Sequence, residues 1–386
     1  MRLVKRVKRY FYVRCREYEM KHASKYRLKN AIVFESIPDF SDNTKAVFDE
    51  FVRQGINKHY KLIWFIYSAP HQTYPQIKNV QYVQPWSLEG QYYGKLAKVK
   101  VCCNHFLKKE TDGQICVYLS HGTAIKDVSG LYTAPKEIDY FLTASENVID
   151  LQSKVFCFPH EKMIALGFPR NDALGIQKRD IAPMLNSYDA KVIVWYPTYR
   201  QHKNGQATGA SNALPIIFNA ENAVLLNECA RQKNTIIVIK PHFAQDVRYV
   251  QNMKLSNICF ISDDFFGDNN ITSYEFVASC DALITDYSSI YFDYTLCNKP
   301  IAAVWEDIEE YKKNPGLVKD YEYLMKGAEK VYTLNDLCDF IERVADGVDL
   351  LKAEREEIRD YANISTDACN ASRVVQFILE KAGDIC

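Results

Sequence analysis

The feature that most constrains the fold is a series of apolar runs, four to six residues long, that recur between stretches with helical spacing. Runs of this length, rich in β-branched and aromatic residues, are typical of strands buried on both faces of a parallel sheet. The sequence therefore predicts an α/β protein with helices on both faces of parallel sheets. The predicted strands are Ala31–Glu35, Leu62–Tyr67, Val99–Cys103, Ile115–Leu119, Tyr140–Thr143, Lys162–Leu166, Val192–Tyr196, Ile236–Ile239, Ile258–Ile261, Ala282–Thr285 and Ile301–Val304.

In most segments between these runs, the apolar residues recur with the spacing of a helix. We predict a helix capped by Ser41 that continues through Phe51 and ends near Gly55. Further predicted helices are Leu214–Arg231, Tyr287–Cys297, Leu334–Val344 and the segment Leu350–Ala382.

A chain of 386 residues is too long for one ordinary core, so two domains are expected. The alternation of predicted strands and helices is interrupted at Ile176–Lys191, which is polar and contains Pro183. We place the boundary between the two domains there. The predicted divisions are a basic helix (1–30), a first lobe (31–180), a second lobe (181–350) and a last segment (351–386) that can cross back to the first lobe.

The first 30 residues are strongly basic, with eleven Lys and Arg against Glu17 and Glu19. Their apolar residues recur with helical spacing, which indicates a basic amphipathic helix. Such a helix either packs on its own domain or lies on an anionic membrane surface, and we favour the membrane. Nucleic-acid binding is disfavoured because the rest of the chain is acidic.

The sequence has no run of about 18 apolar residues that could span a bilayer and no signal peptide. The 12 cysteines are scattered without zinc-site spacing, which is typical of reduced thiols in a cytoplasmic protein. We therefore expect a peripheral protein on the cytoplasmic face of the cell membrane.

Four polar phrases follow predicted strands, and ligands of open parallel sheets bind beyond the carboxyl ends of the strands. The most informative is Asp286-Tyr-Ser288-Ser289, where a strand ends and a helix begins, because free backbone N–H groups at a helix start suit a phosphate or diphosphate. The other three phrases are Ser120-His-Gly-Thr123, Pro197-Thr-Tyr-Arg200 and Lys240-Pro-His242.

Each phrase has a functional and a structural interpretation. His121 at a cleft edge could be a general base, with Gly122, Thr123 and Lys126 beside it, or it could be structural. Arg200 and Lys240 could neutralise phosphoryl oxygens, with Thr198 beside Arg200, and His242 could protonate the same group; otherwise they are surface residues.

The roles of several other residues also have two interpretations. Ser288 and Ser289 could bind a diphosphate, whereas Asp286 or Ser288 could simply cap the helix. Asp293 could bond a ribose or a neighbouring backbone. Arg170 and Asp172, in Gly167-Phe-Pro-Arg-Asn-Asp172, could border the cleft or fix a turn. The irregular stretch Gln201–Pro215 is a candidate mobile loop at the cleft.

Several enzyme classes are disfavoured by missing motifs. No Gly-x-Gly-x-x-Gly follows the first strand and no Walker loop exists, which disfavours dehydrogenases and P-loop enzymes. No Asp-x-Asp pair is present to hold a metal. We expect Arg, Lys, His and helix dipoles to neutralise the anion, with no protein-bound metal, although Mg²⁺ carried by a diphosphate is compatible with the sequence.

Taken together and in this order, the phrases resemble the CDP-glycerol glycerophosphotransferase family, the teichoic acid polyol-phosphate primases and polymerases. The similarity covers about residues 95 to 345. The matching phrases are His121-Gly-Thr-Ala-Ile-Lys126, Gly167-Phe-Pro-Arg-Asn-Asp172, Pro197-Thr-Tyr-Arg200, Lys240-Pro-His242, Ile284-Thr-Asp-Tyr-Ser-Ser-Ile-Tyr-Phe-Asp293 and Lys299-Pro-Ile301.

The resemblance implies a GT-B-like fold, with two Rossmann-like lobes facing a central cleft, and membrane association. It implies transfer of a polyol phosphate from a CDP-polyol to a lipid-linked saccharide or polyol-phosphate acceptor, with release of CMP. His121 would be the catalytic base. Arg200, His242, Ser288 and Ser289 would hold the diphosphate, with His242 also catalytic.

The sequence departs from the family pattern at some positions, such as Ser120 where a Trp is common. The identity of the donor's polyol therefore stays open, with glycerol, ribitol and others as candidates. Two rival functions also stay open: a GT-B glycosyltransferase that uses a sugar nucleotide, and a non-catalytic membrane-bound assembly factor.

Overall fold

Two parallel sheets organise the computed structural model, which describes residues 2–68, 74–129, 133–175, 178–198, 214–241, 245 and 247–383. The first sheet has the order β3-β2-β1-β4-β5-β6-β7 and the second has the order β10-β9-β8-β11-β12-β13. In each sheet the order reverses between the first and fourth strand, as in doubly wound dinucleotide-binding folds. The predicted α/β class with parallel sheets is therefore confirmed.

The strands of the first sheet are β1 Lys29–Glu35, β2 Lys61–Phe65, β3 Val80–Val83, β4 Ala97–Cys102, β5 Ile115–Tyr118, β6 Tyr140–Thr143 and β7 Met163–Ala165. Those of the second sheet are β8 Lys191–Trp195, β9 Thr235–Ile239, β10 Ile258–Phe260, β11 Ala282–Thr285, β12 Ile301–Val304 and β13 Glu329–Val331. All eleven predicted strands are present, and β3 and β13 are additional. Both additional strands lie at sheet edges, where half-buried polar residues replace the continuous apolar run.

Helices connect the strands across both faces of the sheets. They are α1 Arg2–Lys21, α2 Asp42–Arg53, α3 Leu88–Leu96, α4 Ile149–Phe156, α5 Ala182–Leu185, α6 Ala220–Gln232, α7 Arg248–Gln251, α8 Asp264–Asp268, α9 Ser273–Ser279, α10 Ile290–Tyr294, α11 Ile308–Tyr311, α12 Tyr321–Leu324, α13 Leu334–Ala345, α14 Lys352–Ala362 and α15 Asn370–Lys381. The described residues also form six 3₁₀ turns: Ala23–Lys25, Ile56–Lys58, Glu146–Val148, His160–Lys162, Pro169–Gly175 and Thr295–Cys297.

Two predicted helices begin later than the sequence pattern indicates. Helix α6 begins at Ala220 because the Asn219 side chain accepts a hydrogen bond from Asn222 N and caps the helix there. Helix α10 begins at Ile290, since Asp286, Tyr287 and Ser288 form the turn that follows β11, and its last turn is a 3₁₀ helix.

The last segment forms two helices rather than one, and α15 packs on the first-sheet side of the molecule. It contacts α2 and the Pro169–Gly175 turn, and the Phe377 ring lies 4.9 Å from the Tyr140 ring. Both oxygens of Asp172 accept from the backbone N–H groups of Asn370 and Ala371, each at 2.8 Å. Asp172 therefore holds the start of α15.

Helix α1 packs against α3. The Arg16 guanidinium lies 3.7 Å from the centroid of the Tyr92 ring and 3.1 Å from a Glu89 oxygen. The other side of α1 leaves large side chains exposed, and they are Val7, Tyr10, Phe11 and Tyr18. Among the described residues, no helix combines the length and the hydropathy that a bilayer span requires.

Main-chain hydrogen bonds join the loop after β5 to a loop of the second-sheet side. Val318 N donates to Ile125 O at 3.1 Å, and Asp127 N donates to Gly316 O at 3.0 Å. Lys126 and Leu317 form an antiparallel bridge between these bonds. The loop that carries His121 is thus fixed to the second half of the chain.

Candidate functional site

His121 lies at the carboxyl end of the first sheet, in a loop with unusual backbone angles. Ser120 has φ +57° and Gly122 has φ +123°, and the side chain of His121 between them is 46% exposed. A Cβ atom on Gly122 would lie 2.7 Å from Arg170 Nη2 and 2.8 Å from Ser289 Oγ. Glycine is therefore required where this loop meets the second-sheet side.

Arg170 is the centre of the contacts behind His121. Its Nη1 donates to Asp42 Oδ1 at 2.8 Å, and its Nη2 donates to His121 O at 2.6 Å and to Asp293 Oδ2 at 2.7 Å. Asp293 is buried and also accepts from Tyr274 and Asn171. Arg170 thus links the start of α2, the His121 loop and α10.

The charges in this cluster support one another. Burial by itself would raise the pKa of Asp42, but Arg170 and then His121 outweigh it and hold that pKa well below its usual range. Burial likewise opposes the charge of Arg170, but Asp42, Tyr274 and Asp293 raise its pKa. Asp42 and Arg170 are therefore a charged pair throughout the physiological pH range.

Asp42 also faces the imidazole of His121, with 3.7 Å between Asp42 Oδ2 and His121 Nδ1. The other ring nitrogen, Nε2, lies 3.4 Å from the hydroxyl of Tyr118. A carboxylate on one ring nitrogen is the arrangement that orients a general base. The sequence analysis did not identify Asp42 or Tyr118, although Asp42 opens the helix that follows β1.

A pocket of about 410 Å³ lies in front of His121. One wall is formed by the loop after β5, including Gly122 and Lys126, and the other by Ser288 and Ser289. Ser289 Oγ donates to His121 O at 3.3 Å, so the two walls touch. We call this cavity the His121 pocket. It brings together residues that lie more than 160 positions apart in the sequence.

Two hydroxyl groups near the His121 pocket stand out. The Oγ1 of Thr123 and the Oγ of Ser120 are buried, and neither has a hydrogen-bond partner among the described residues. Buried hydroxyls are normally paired, so these two atoms are exceptions among the described residues.

Asp286 lies at the end of β11 and connects it to the end of β8. Its carboxylate accepts from the backbone N–H and the hydroxyl of Thr198, and from Tyr287 N at 2.7 Å. Asp286 is fully buried, so in this structure it orders the turn that presents Ser288 and Ser289. Lys240, at the end of β9, lies 2.9 Å from Asp263.

The predicted site residues therefore fall into four groups. His121, Gly122, Lys126, Ser288 and Ser289 line one pocket, and Thr123 and Arg170 lie directly beside its walls. Asp172, Asp286 and Asp293 contact protein groups instead, while Thr198 and Lys240 lie at the second sheet's strand ends. Arg200, His242 and most of the predicted loop Gln201–Pro215 lie outside the described residues.

One group of potential metal ligands lies here. Asp42, Cys103 and His121 each offer an atom within 4.8 Å of the others. Asp42 already pairs with Arg170, and burial raises the pKa of the Cys103 thiol well above its usual value. This set does not fit Mg²⁺, which prefers several oxygen ligands.

Comparison with known proteins gives a consistent picture. The sequence profile of the family described as CDP-Glycerol:Poly(glycerophosphate) glycerophosphotransferase matches residues 17–380. A teichoic acid poly(glycerol phosphate) polymerase of Bacillus spizizenii is 26% identical over 79% of this chain and 82% of its own length. A teichoic acid glycerol-phosphate transferase of Staphylococcus aureus is 25% identical over 79% of this chain and 81% of its own.

Solved structures share the fold. The wall teichoic acid polymerase TagF superposes with a TM-score of 0.75 at 19% identity, covering 99% of this chain and 97% of the other. A Staphylococcus aureus MnaA–UDP structure superposes with a TM-score of 0.51 at 13% identity, covering 92% of this chain and 97% of the other.

Proposed function

Because the chain belongs to the CDP-glycerol:poly(glycerophosphate) glycerophosphotransferase family, we propose that it transfers glycerol phosphate from CDP-glycerol to a lipid-linked acceptor and releases CMP. The process it serves is teichoic acid synthesis, or synthesis of a related capsule polymer, since the similar curated proteins act in teichoic acid synthesis. CDP-ribitol is the second candidate donor, because ribitol-phosphate enzymes are also among the relatives.

The observation that carries the proposal is the His121 pocket. It sets an exposed imidazole, with a carboxylate behind it, opposite two serines at the end of β11. The second sheet reverses its strand order between β8 and β11, which is where such folds bind nucleotides. We therefore assign the acceptor to the His121 side and the CDP-polyol to the second-sheet side of a cleft between two lobes, divided at Ile176–Lys191.

In the proposed reaction, His121 accepts the proton of the attacking acceptor hydroxyl. The acceptor oxygen bonds the phosphorus distal to cytidine while the diphosphate P–O bond breaks, and the electron pair leaves with CMP. Asp42 orients the imidazole and stabilises the imidazolium that forms. Positioning and charge neutralisation supply most of the rate in phosphoryl transfer.

On the donor side we assign the diphosphate to Ser288, Ser289, Arg200 and His242, with Lys240, Thr198 and Lys126 nearby. His242 is the residue that would protonate the leaving phosphate. Mg²⁺ would enter, if needed, bound to the diphosphate itself.

The experiment is a CMP-release assay with His121→Ala and a lipid-linked acceptor. We expect turnover to fall by about a hundredfold or more, the usual contribution of a positioned base. His160→Ala is the matched control, since His160 is exposed and pairs with exposed Asp150, and it should turn over normally. Near-wild-type CMP release by His121→Ala would defeat the assigned role.

A donor screen separates the rival functions. The proposal expects CDP-glycerol or CDP-ribitol to raise the melting temperature, and UDP-sugars to leave it unchanged. Stabilisation by UDP-sugars would favour a glycosyltransferase, a rival suggested by the fold similarity to a UDP-bound protein. Donor binding without turnover on any acceptor would favour an assembly factor.

We also propose that α1 is the basic amphipathic helix that holds the protein on the anionic cytoplasmic face of the membrane. Its free side carries Tyr10, Phe11 and Tyr18, which are aromatic residues of the kind found at lipid interfaces. Arg14 and Lys8 flank them with positive charge. Vesicle sedimentation of a chain lacking residues 1–22 tests the proposal, and unchanged sedimentation would place the membrane contact elsewhere.

A further inference from the structure

A second and larger cavity lies beneath α1, at the carboxyl ends of β2 and β3. Its volume is about 690 Å³, and we call it the α1 pocket. Phe65, Tyr67 and Leu107 give it an apolar floor. Its charged groups are of both signs: Glu17, Lys21, Lys95 and Glu110. An apolar surface with a few polar groups is typical of small-molecule sites.

Three rings form a continuous row beside this pocket. The Trp86 ring lies 6.4 Å from the Tyr67 ring, which in turn lies 4.9 Å from the His105 ring. Trp86 is 58% exposed, while Trp64, Trp195 and Trp305 are all buried. An exposed tryptophan beside a pocket is a frequent contact residue for ligands and partners.

His105 is held at the place where the first sheet reverses its strand order. Buried Glu35, the last residue of β1, accepts from the backbone N–H groups of Cys103, Asn104 and His105. His105 Nδ1 lies 3.2 Å from Glu35 Oε1, and the imidazole is 53% exposed. Glu35 therefore fixes the ring and leaves its outer nitrogen for a ligand, at the position where doubly wound sheets bind ligands.

The α1 pocket and the His121 pocket lie on the same edge of the first sheet. Strands β2, β1, β4 and β5 are successive neighbours, and they lead to Tyr67, Glu35, His105 and His121 respectively. Neighbouring strands are roughly 5 Å apart, so β2 and β5 are separated by roughly 15 Å. Phe106, next to His105, lines the His121 pocket, so the two cavities adjoin.

We propose that the α1 pocket, with the Trp86–Tyr67–His105 row, binds a pyranose saccharide of the acceptor, whose reacting hydroxyl then lies at His121. This inference rests on the proposed transfer reaction and assigns the acceptor a defined path along the sheet edge. Saccharide C–H faces carry partial positive charge and are attracted to the negative faces of aromatic rings. Glu17 and Glu110 can accept hydrogen bonds from hydroxyl groups, and Lys95 can donate to them.

A polyol phosphate alone fits this site less well. It has no ring to stack on Trp86, and the two carboxylates of the pocket offset its two lysines, so the lining has no excess positive charge to attract a phosphate. The position of the pocket between α1 and His121 also matches an acceptor that enters from the proposed membrane side.

The first test uses tryptophan fluorescence of the full chain, because Trp86 is the exposed one of the four tryptophans. The probes are N,N′-diacetylchitobiose, maltose and glycerol 3-phosphate. We expect a saccharide to reduce acrylamide quenching of the wild-type chain, and to have no such effect on Trp86→Phe. Equal quenching with and without saccharide, or protection by glycerol 3-phosphate alone, would overturn the proposal.

The second test measures steady-state kinetics of Trp86→Ala with a lipid-linked saccharide acceptor. We expect KM for the acceptor to rise roughly three- to tenfold, with kcat and KM for CDP-glycerol unchanged. Tyr188→Ala is the matched control, since Tyr188 is another exposed aromatic residue, and it should not change KM. A Trp86→Ala enzyme with unchanged acceptor KM would refute the assignment.

The two proposals fail in different ways. If the chain releases no CMP from CDP-glycerol yet saccharide still protects Trp86, the reaction is wrong and the saccharide site stands. If CMP is released but neither saccharide protection nor a KM effect is seen, the reaction stands and the saccharide site is wrong.

Discussion

Replacing Arg170 by methionine tests how far the ion pairs behind His121 support the structure. The guanidinium is 10% exposed and its partners Asp42 and Asp293 are 19% and 1% exposed, so solvent screens these pairs weakly. Removing one partner of a buried pair costs about 3–5 kcal/mol because the remaining charge is left uncompensated. Asp293 keeps Asn171 and Tyr274 as donors, so we expect the lower end of this range.

Urea titration measures this loss as a change in the free energy of unfolding of the transition that includes the first sheet. The control is Arg231→Met, which removes an exposed pair with Glu228 and should leave the urea midpoint unchanged. The double variant Arg170→Met/Asp293→Asn should be less unstable than the sum of the single variants. A loss below about 1 kcal/mol would mean that Arg170 contributes no more than a surface ion pair, and the reasoning would be refuted.

The same variant has a defined pH signature. The pKa of Asp42 is depressed in the folded protein, so its contribution to stability is present above the unfolded value of about 4 and is lost as the pH falls below it. Without Arg170 the depression shrinks. We therefore expect the acid-side loss of stability to be smaller in Arg170→Met than in the wild-type chain, and an equal loss would contradict the assigned pairing.

Four further predictions concern single positions. Gly122→Ala should destabilise by about 1–3 kcal/mol in urea titrations and lower CMP release, since its φ is +123° and Arg170 Nη2 is 2.7 Å from the added Cβ; normal stability would contradict the required close approach. Asp172→Ala should cost about 1 kcal/mol of unfolding free energy through loss of the α15 cap, and an unchanged urea midpoint would contradict that role. Burial lowers the pKa of Lys299 to about 8, below the unfolded value of about 10.4, so the unfolded chain holds the extra proton between these values and stability should rise there with pH by up to about 1.4 kcal/mol per unit. Lys299→Met should remove that part of the rise, and an identical pH profile would contradict the shifted pKa. Phe11→Ser should weaken sedimentation with anionic vesicles without changing CMP release from a soluble acceptor, whereas wild-type sedimentation would argue against the exposed side of α1.

The central strands could be predicted because they are buried on both faces and read as continuous apolar runs. Two of the four edge strands could not: Glu329–Val331 keeps a Glu and a Lys half-buried, and Val80–Val83 is half-buried throughout. A short polar strand is stabilised by its single neighbour, and that neighbour is not visible in the local sequence.

Only part of the candidate site could be predicted, because local sequence places some of its residues and tertiary packing places the others. His121 and Ser288 follow strands directly, so the topology of parallel sheets sets them at sheet edges before any contact is known. Asp42 and Tyr274 come from helices, and only tertiary packing brings them to Arg170. Whether Asp286 bonds a ligand or a neighbouring strand also depends on Thr198, 88 positions away, and local spacing cannot decide it.

The hydrogen bonds that join residues 125–127 to residues 316–318 have a consequence for how such sequences can diverge. They are formed by N–H and C=O groups, which nearly every amino acid supplies, so side chains at Lys126 and Leu317 can be exchanged without loss of these bonds. Proline is the exception, because at Asp127 or Val318 it would delete a donor. The contact between these two loops is therefore preserved through sequence change by atoms that mutation seldom removes.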